Sequence, residues 1–319
     1  MPSRFAHSFA FDPGYGYSLA DLLAVDAPAM PADFAAFWQS RYERTLLVHP
    51  RPSIKHTGTA HNGFEVYDLS YFSTDHSIIG GWVLVPQSQP VTCGLVFGHG
   101  YGGCDEPDYR LCPSGAALLF PCFRGLSRSQ QASVSSNPSY HVLHDIDKSE
   151  QYIIGGCVED LWLAVSALQL LFPAVRGHIG YSGISFGGGI GALALPWDAR
   201  IQRAHLNVPT FGNHPLRLQL PTVGSGAAVQ RYQQQHGNVM DTLQYYDAAS
   251  AAGFIRQPLH VAAALFDPTV APPGQFAIYN ALPESKSLFV LEAGHFNYPR
   301  QAEQERELLA ELETFFAGL

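Results

Sequence analysis

The spacing of apolar residues changes character along the chain. Before about residue 90 it fits an amphipathic helix and half-buried strands. Phe34, Phe37, Trp38 and Tyr42 recur at helical intervals and predict a short helix over about 31–46. FEVYDLSYF (64–72) and IIGGWVLVP (78–86) alternate and predict strands. From 91 onward, short continuous apolar runs alternate with helical stripes. The runs predict strands at 91–100, 116–123, 178–183, 203–209, 259–267 and 287–294. The stripes predict helices at 150–172, 186–195, about 273–282 and 299–317. Uninterrupted apolar strands separated by helices imply a mostly parallel sheet covered on both faces. Right-handed crossovers make such an α/β sheet doubly wound. Residues 211–250, rich in Gln, Gly and His, break the rhythm and read as an inserted, cap-like segment. The expectation is one domain over 1–319, with an N-terminal extension and first strands in 1–90 and a core in 91–210 and 251–319.

Composition narrows the classes. Only 14% of residues are charged while 46% are hydrophobic, so the chain is uncharged rather than greasy. That suits a large core, a broad subunit interface, or both. A net charge of −9 lacks the basic footprint of a nucleic-acid binder. No run of 18 apolar residues occurs, so no membrane span is expected, and the N-terminal sequence lacks the apolar region of a signal peptide. The five cysteines, Cys93, Cys104, Cys112, Cys122 and Cys157, are scattered and form no CxxC. They predict reduced thiols in a cytoplasmic protein, without a disulfide framework or a cysteine metal site.

Candidate chemistry centres on HIGYSGISFGGG (178–189), where Gly183, Ser185 and Gly187 form G-x-S-x-G between a predicted strand and a predicted helix. That is the setting of a nucleophile elbow, whose glycines allow a serine on a sharp turn. A serine hydroxyl needs an adjacent base, and on this fold an acid and then a histidine follow it, each after a strand. Asp267 ends LHVAAALFD, and His295 follows the last strand in EAGHFNYP. Ser185, Asp267 and His295 are therefore the candidate catalytic residues. An oxyanion hole would take its backbone N–H groups from Phe186, just after the serine, and from Tyr101 in the Gly-rich FGHGYGG (97–103). This chemistry requires neither metal nor cofactor.

At these residues the chain resembles the acetyl xylan esterase / cephalosporin C deacetylase family of α/β-hydrolases, from about residue 28 onward. PADFAAFW (31–38), HGYGG (99–103), Arg124-Gly125 with the later Asp160, and FDPTVAPPGQFAIYNAL (266–282) match the family's segments. The resemblance implies an α/β-hydrolase fold and a serine esterase that removes acetyl and other small acyl groups from sugar or cephalosporin-like esters. It marks Asp267 as the acid and implies a homo-oligomer, commonly a hexamer. Phe186, Leu126 and Phe296 stand where the family usually has polar residues, so with Tyr101 they are candidates to line the substrate pocket. Arg124 and Asp160 are expected to pair beneath the site as a structural support. A serine peptidase of prolyl-oligopeptidase type also uses G-x-S-x-G-G, but the residues before 91 are too few for the propeller such enzymes usually carry. A non-catalytic hydrolase-like binding protein is the third reading, disfavoured by the intact Ser, Asp and His.

Overall fold

The computed structural model describes residues 5–283 and 285–319; the first four residues of the N-terminal zone lie outside these. Nine strands form one sheet: β1 (Ser53–His61), β2 (Phe64–Phe72), β3 (Ile78–Pro86), β4 (Cys93–Gly98), β5 (Ala116–Pro121), β6 (Ile179–Ile184), β7 (Arg203–Asn207), β8 (Leu259–Ala264) and β9 (Lys286–Leu291). Their spatial order is β1-β2-β3-β5-β4-β6-β7-β8-β9. The first three strands and the β3–β5 pair run antiparallel, while β5-β4-β6-β7-β8-β9 are parallel throughout. This is the mostly parallel, doubly wound sheet of an α/β-hydrolase. β1, SIKHTGTAH, escaped the apolar pattern because it is a solvent-facing edge strand, with its register broken between His56 and Ala60.

The periodic stripes form five helices: α2 (Phe34–Leu46), α4 (Ile153–Leu171), α5 (Phe186–Ala194), α10 (Pro272–Ala281) and α11 (Gln301–Phe316). Short α1 (Leu19–Leu22) precedes α2, and short α3 (Pro138–His141) precedes α4. The two-residue period of the strands sorts side chains between two cores. Val96, Ala117 and Leu119 face one with Trp38, Trp162 and Phe186. Leu95, Leu118 and Phe120 face the other with Leu308, Leu312 and Phe316 of α11. α4 is long and apolar enough to cross a membrane by length and composition, yet it lies buried against β4, β5, α2 and α5. It is a core helix.

Residues 211–250 are largely helical: α6 (His214–Arg217), α7 (Gly224–His236), α8 (Met240–Leu243) and α9 (Ala248–Ala252). The segment is bound to the loop after β8, where Val223 N–H and Thr222 Oγ1 donate to Pro268 O at 3.1 and 3.0 Å. The buried α9 packs on α5 and α10, so the end of the predicted insertion belongs to the core.

Candidate active site

β6 runs into α5 through Ser185, which has φ +53° and ψ −109°. A non-glycine residue there is strained, and the surroundings hold it in place. Its N–H donates to Asn207 O at 2.8 Å and its carbonyl accepts from Thr210 N–H at 3.1 Å. Gly187 is required by close approach: a Cβ there would lie 2.1 Å from Gly98 O. The same approach lets Gly187 N–H donate to His99 O at 2.9 Å, pinning the oxyanion-loop candidate against the turn.

His295 and Asp267 arrive on the loops after β9 and β8. His295 Nε2 lies 2.8 Å from Ser185 Oγ, and its Nδ1 lies 2.8 Å from Asp267 Oδ2. Asp267 is fully buried. Its Oδ1 accepts from Thr269 N–H and Val270 N–H at 2.8 and 2.9 Å, and Gln275 Nε2 donates to Oδ2 at 3.0 Å. The carboxylate is therefore aimed by its own loop and by α10. Burial of the His295 ring favours its neutral form, but the Asp267 charge and hydrogen bond outweigh that and raise its pKa above the usual 6.5.

The oxyanion-hole candidates fit a backbone argument. Phe186 N–H opens α5, where first-turn amides lack helical partners. Phe123 N–H donates to His99 Nε2 at 3.0 Å, so the His99 proton is on Nδ1, which donates to Gly100 O at 2.6 Å. Burial keeps this ring neutral, with its pKa pushed down to about 4. No peptide bond among the described residues is cis, so with Gly100 O turned to His99, Tyr101 N–H points the opposite way. Neither the Tyr101 nor the Phe186 amide donates a turn, loop or cap bond among the described residues. Gly100 also borders the candidate nucleophile, since a Cβ on it would lie 3.7 Å from Ser185 Cβ.

The pocket assignment needs correction. Phe186 is 0% exposed and Leu126 2% exposed, so both are core residues and line no open pocket. The physical reason for Phe186 is aromatic packing: its ring stacks on Tyr101 at 4.1 Å and meets Phe123 and Phe211 edge-on. Tyr101 and Phe296 are partly buried, Phe296 next to His295 in the chain. A cavity of about 760 Å³ opens along the sheet face next to the turn, bordered by His99, Gly100, Ile184, Asn207, Arg306 and Leu309.

Arg124 and Asp160 meet beneath the site. Arg124 Nη2 lies 2.7 Å from Asp160 Oδ1, and Arg124 N–H donates to Asp160 Oδ2 at 2.9 Å. Ser73 and Thr74 hydroxyls accept from the same guanidinium, and neighbouring Glu159 is paired with Arg41 at 2.8 Å. Sequence reasoning missed the link from this pair to the site, His141. Its Nε2 donates to Arg124 O at 3.0 Å, leaving Nδ1 to accept from Tyr101 Oη at 3.3 Å. Gln275 was also missed; it lies in a segment that carries the family resemblance, where position alone could have flagged it.

Beyond this geometry, the family model described as acetyl xylan esterase (AXE1) matches residues 24–310. The chain belongs to the acetyl xylan esterase family. It is accordingly a serine carboxylic ester hydrolase. Among solved structures it is similar to acetyl xylan esterase 1 from Thermoanaerobacterium sp. JW/SL YS485, at 18% identity and TM-score 0.79, covering 93% of this chain and 99% of that one. It is also similar to the acetyl xylan esterase from Paenibacillus sp. R4, at 21% identity and TM-score 0.78, covering 92% and 99%. A prolyl endopeptidase structure shares the fold at 17% identity and TM-score 0.61, but this chain covers only 39% of it.

Proposed function

We propose that this esterase removes small acyl groups, chiefly acetyl, from sugar or cephalosporin-like esters through an acyl-serine intermediate. The observation that carries the mechanism is the hydrogen-bonded line from Ser185 Oγ through His295 to Asp267, with both links at 2.8 Å. His295 Nε2 takes the hydroxyl proton as Ser185 Oγ attacks the ester carbonyl. Asp267 holds the imidazole tautomer and stabilises its charged form. The N–H groups of Tyr101 and Phe186 bind the developing oxyanion. The C–O bond then breaks, and the leaving alcohol takes the proton from His295. Water, deprotonated by His295, attacks the acyl-serine, and collapse releases the carboxylic acid and restores the serine hydroxyl. No metal or organic cofactor takes part. A net charge of −9 favours neutral over anionic substrates.

A series of p-nitrophenyl esters of rising acyl length, run beside a peptide anilide, tests this reading. Fastest turnover of the acetate is expected; preferred anilide cleavage would favour the peptidase reading and overturn this one. A fluorophosphonate should label Ser185, and failure to label would favour a non-catalytic binding protein.

The same reading places the enzyme in the cytoplasm as a homo-oligomer. Five free thiols support the location. Exposed Leu46, Leu47, Phe72 and Ile78 support self-association: Phe72 and Ile78 are cross-strand neighbours, and Phe72 N–H reaches Pro50 O just beyond α2. Light scattering should give a multiple of the 34.8 kDa chain, and a clean monomer would remove that part of the proposal.

A further inference from the structure

The segment Phe5–Tyr17 precedes the residues matched to the family, 24–310, yet it runs directly beneath the catalytic acid and base. Its side chains alternate, with Phe5, His7, Phe9 and Phe11 partly buried and the residues between them exposed, as an extended strap lying on a surface would show. Asp267 N–H donates to Pro13 O at 3.0 Å, so the backbone of the acid is fastened to this strap. Farther along, Tyr15 Oη donates to Pro221 O at 2.6 Å, tying it to the 211–250 segment as well.

The aromatic contacts point the same way. Phe266, immediately before Asp267, and Phe296, immediately after His295, pack with ring centroids 4.9 Å apart. Phe5 closes over both, edge-on to Phe266 at 5.2 Å and tilted against Phe296 at 5.8 Å, and it also meets Tyr298 at 6.0 Å. Phe9 reaches Phe296 at 6.3 Å. Phe266, Ala293 and Tyr298 form a small hydrophobic cluster separate from the two main cores, with Phe5 and Phe296 packed against it. The loops bearing Asp267 and His295 thus share a miniature core, and Phe5 is its cover.

We propose that Phe5–Tyr17 is a positioning element of the active site, holding Asp267 and His295 in register with each other. It acts through the two loops, by its bond to the Asp267 backbone and its ring contacts to Phe266 and Phe296. The inference deepens the esterase reading and rests on it for its kinetic arm only. Asp267 is the charged group in contact with the His295 ring, so a loosened pair must register in the ring's titration.

Two measurements on the full chain, on Phe5→Ala, on Phe5→Leu and on a chain lacking residues 1–11 test it. The first follows the His295 pKa by NMR and needs no turnover. Phe5→Ala and the deletion should bring that pKa down toward 6.5, and Phe5→Leu should restore most of the difference. The second is p-nitrophenyl acetate hydrolysis. Phe5→Ala should lower kcat about tenfold and the deletion about a hundredfold, with KM within about twofold, because small displacements of reacting groups cost that much. The acid limb of the pH profile should move to lower pH with the pKa. A lower melting temperature with an unchanged His295 pKa and kcat would overturn the proposal and make the strap a stabiliser alone. If circular dichroism shows that the deletion does not fold, Phe5→Ala decides by the same criteria. A full chain that fails to hydrolyse the ester while its His295 pKa still responds to Phe5→Ala would sink the esterase reading and leave the strap standing.

Discussion

The two halves of the proposed active site are assembled in opposite ways. The nucleophile half is local: β6, one strained residue and α5 place Ser185 and the Phe186 amide in a single pass of the chain. Its tolerances are steric, as at Gly187, where any Cβ would strike Gly98 O. The acid–base half is scattered. Asp267 and His295 lie on separate loops, fastened by Pro13, Gln275 and the Phe5 cluster. The contrast teaches that damage to the first half should appear in the chemical step itself. Damage to the second should appear first in the geometry and titration of His295.

The sharpest test of the local half is Ser185→Ala. It should lower kcat by about a millionfold with little change in melting temperature, and single-turnover assays would check both the loss and the absence of an acyl intermediate. Activity near that of the natural chain would break the comparison at its base. On the scattered half, Asp267→Asn should cost about 10⁴ in kcat, because an amide can hold the wrong imidazole tautomer. It should also remove the charge that raises the His295 pKa. On the proposed mechanism the natural chain needs neutral His295, so the acid limb of kcat/KM should lie above pH 6.5 and move down in this variant. An unmoved limb would mean that another group sets it.

The buried support beneath Tyr101 gives a third test. Arg124→Ala leaves Asp160 buried without its cation, which should destabilise the fold by about 3–5 kcal/mol in urea titration. Should kcat fall far more than stability, the support would belong to the chemistry instead. The smallest effect concerns His99 and His141, whose pKa values burial lowers to about 4 each. Both are neutral when folded, and in the unfolded chain they take up a proton below about pH 6.5. Their contribution is therefore complete above pH 6.5 and is lost as pH falls from there toward 4. The loss is at most about 1.4 kcal/mol per pH unit for each ring. Urea midpoints at pH 7 and pH 5 in natural, His99→Gln and His141→Gln chains would measure the slope, which each substitution should shrink.

Much of this architecture was legible because its signals are short-range. Continuous apolar runs marked β4 to β9, and the stripes marked α4, α10 and α11 within a few residues. The elbow was legible for the same reason, since a strained serine flanked by close-packed glycines leaves a local trace in composition. Order along the chain was enough to nominate Asp267 and His295. β1 was missed because an exposed edge strand buries too little to need apolar residues. The placement of Phe186 and Leu126 at a pocket failed for a different reason. An apolar residue near the elbow reads equally as pocket or as core, and only the burial of both side chains, Phe186 in its stack on Tyr101, separates the two.

By itself, then, the amino-acid sequence determined the order of strands and helices, the elbow and the candidate acid and base, because backbone sterics and hydrophobic period act between neighbours. Only the tertiary structure decided what holds those groups in line. Pro13 meets Asp267, Phe5 covers the loops of both acid and base, and His141 links Tyr101 to Arg124. Those contacts join residues far apart in the chain, and packing complementarity of that kind exists only once the sheet has brought the loops to one edge.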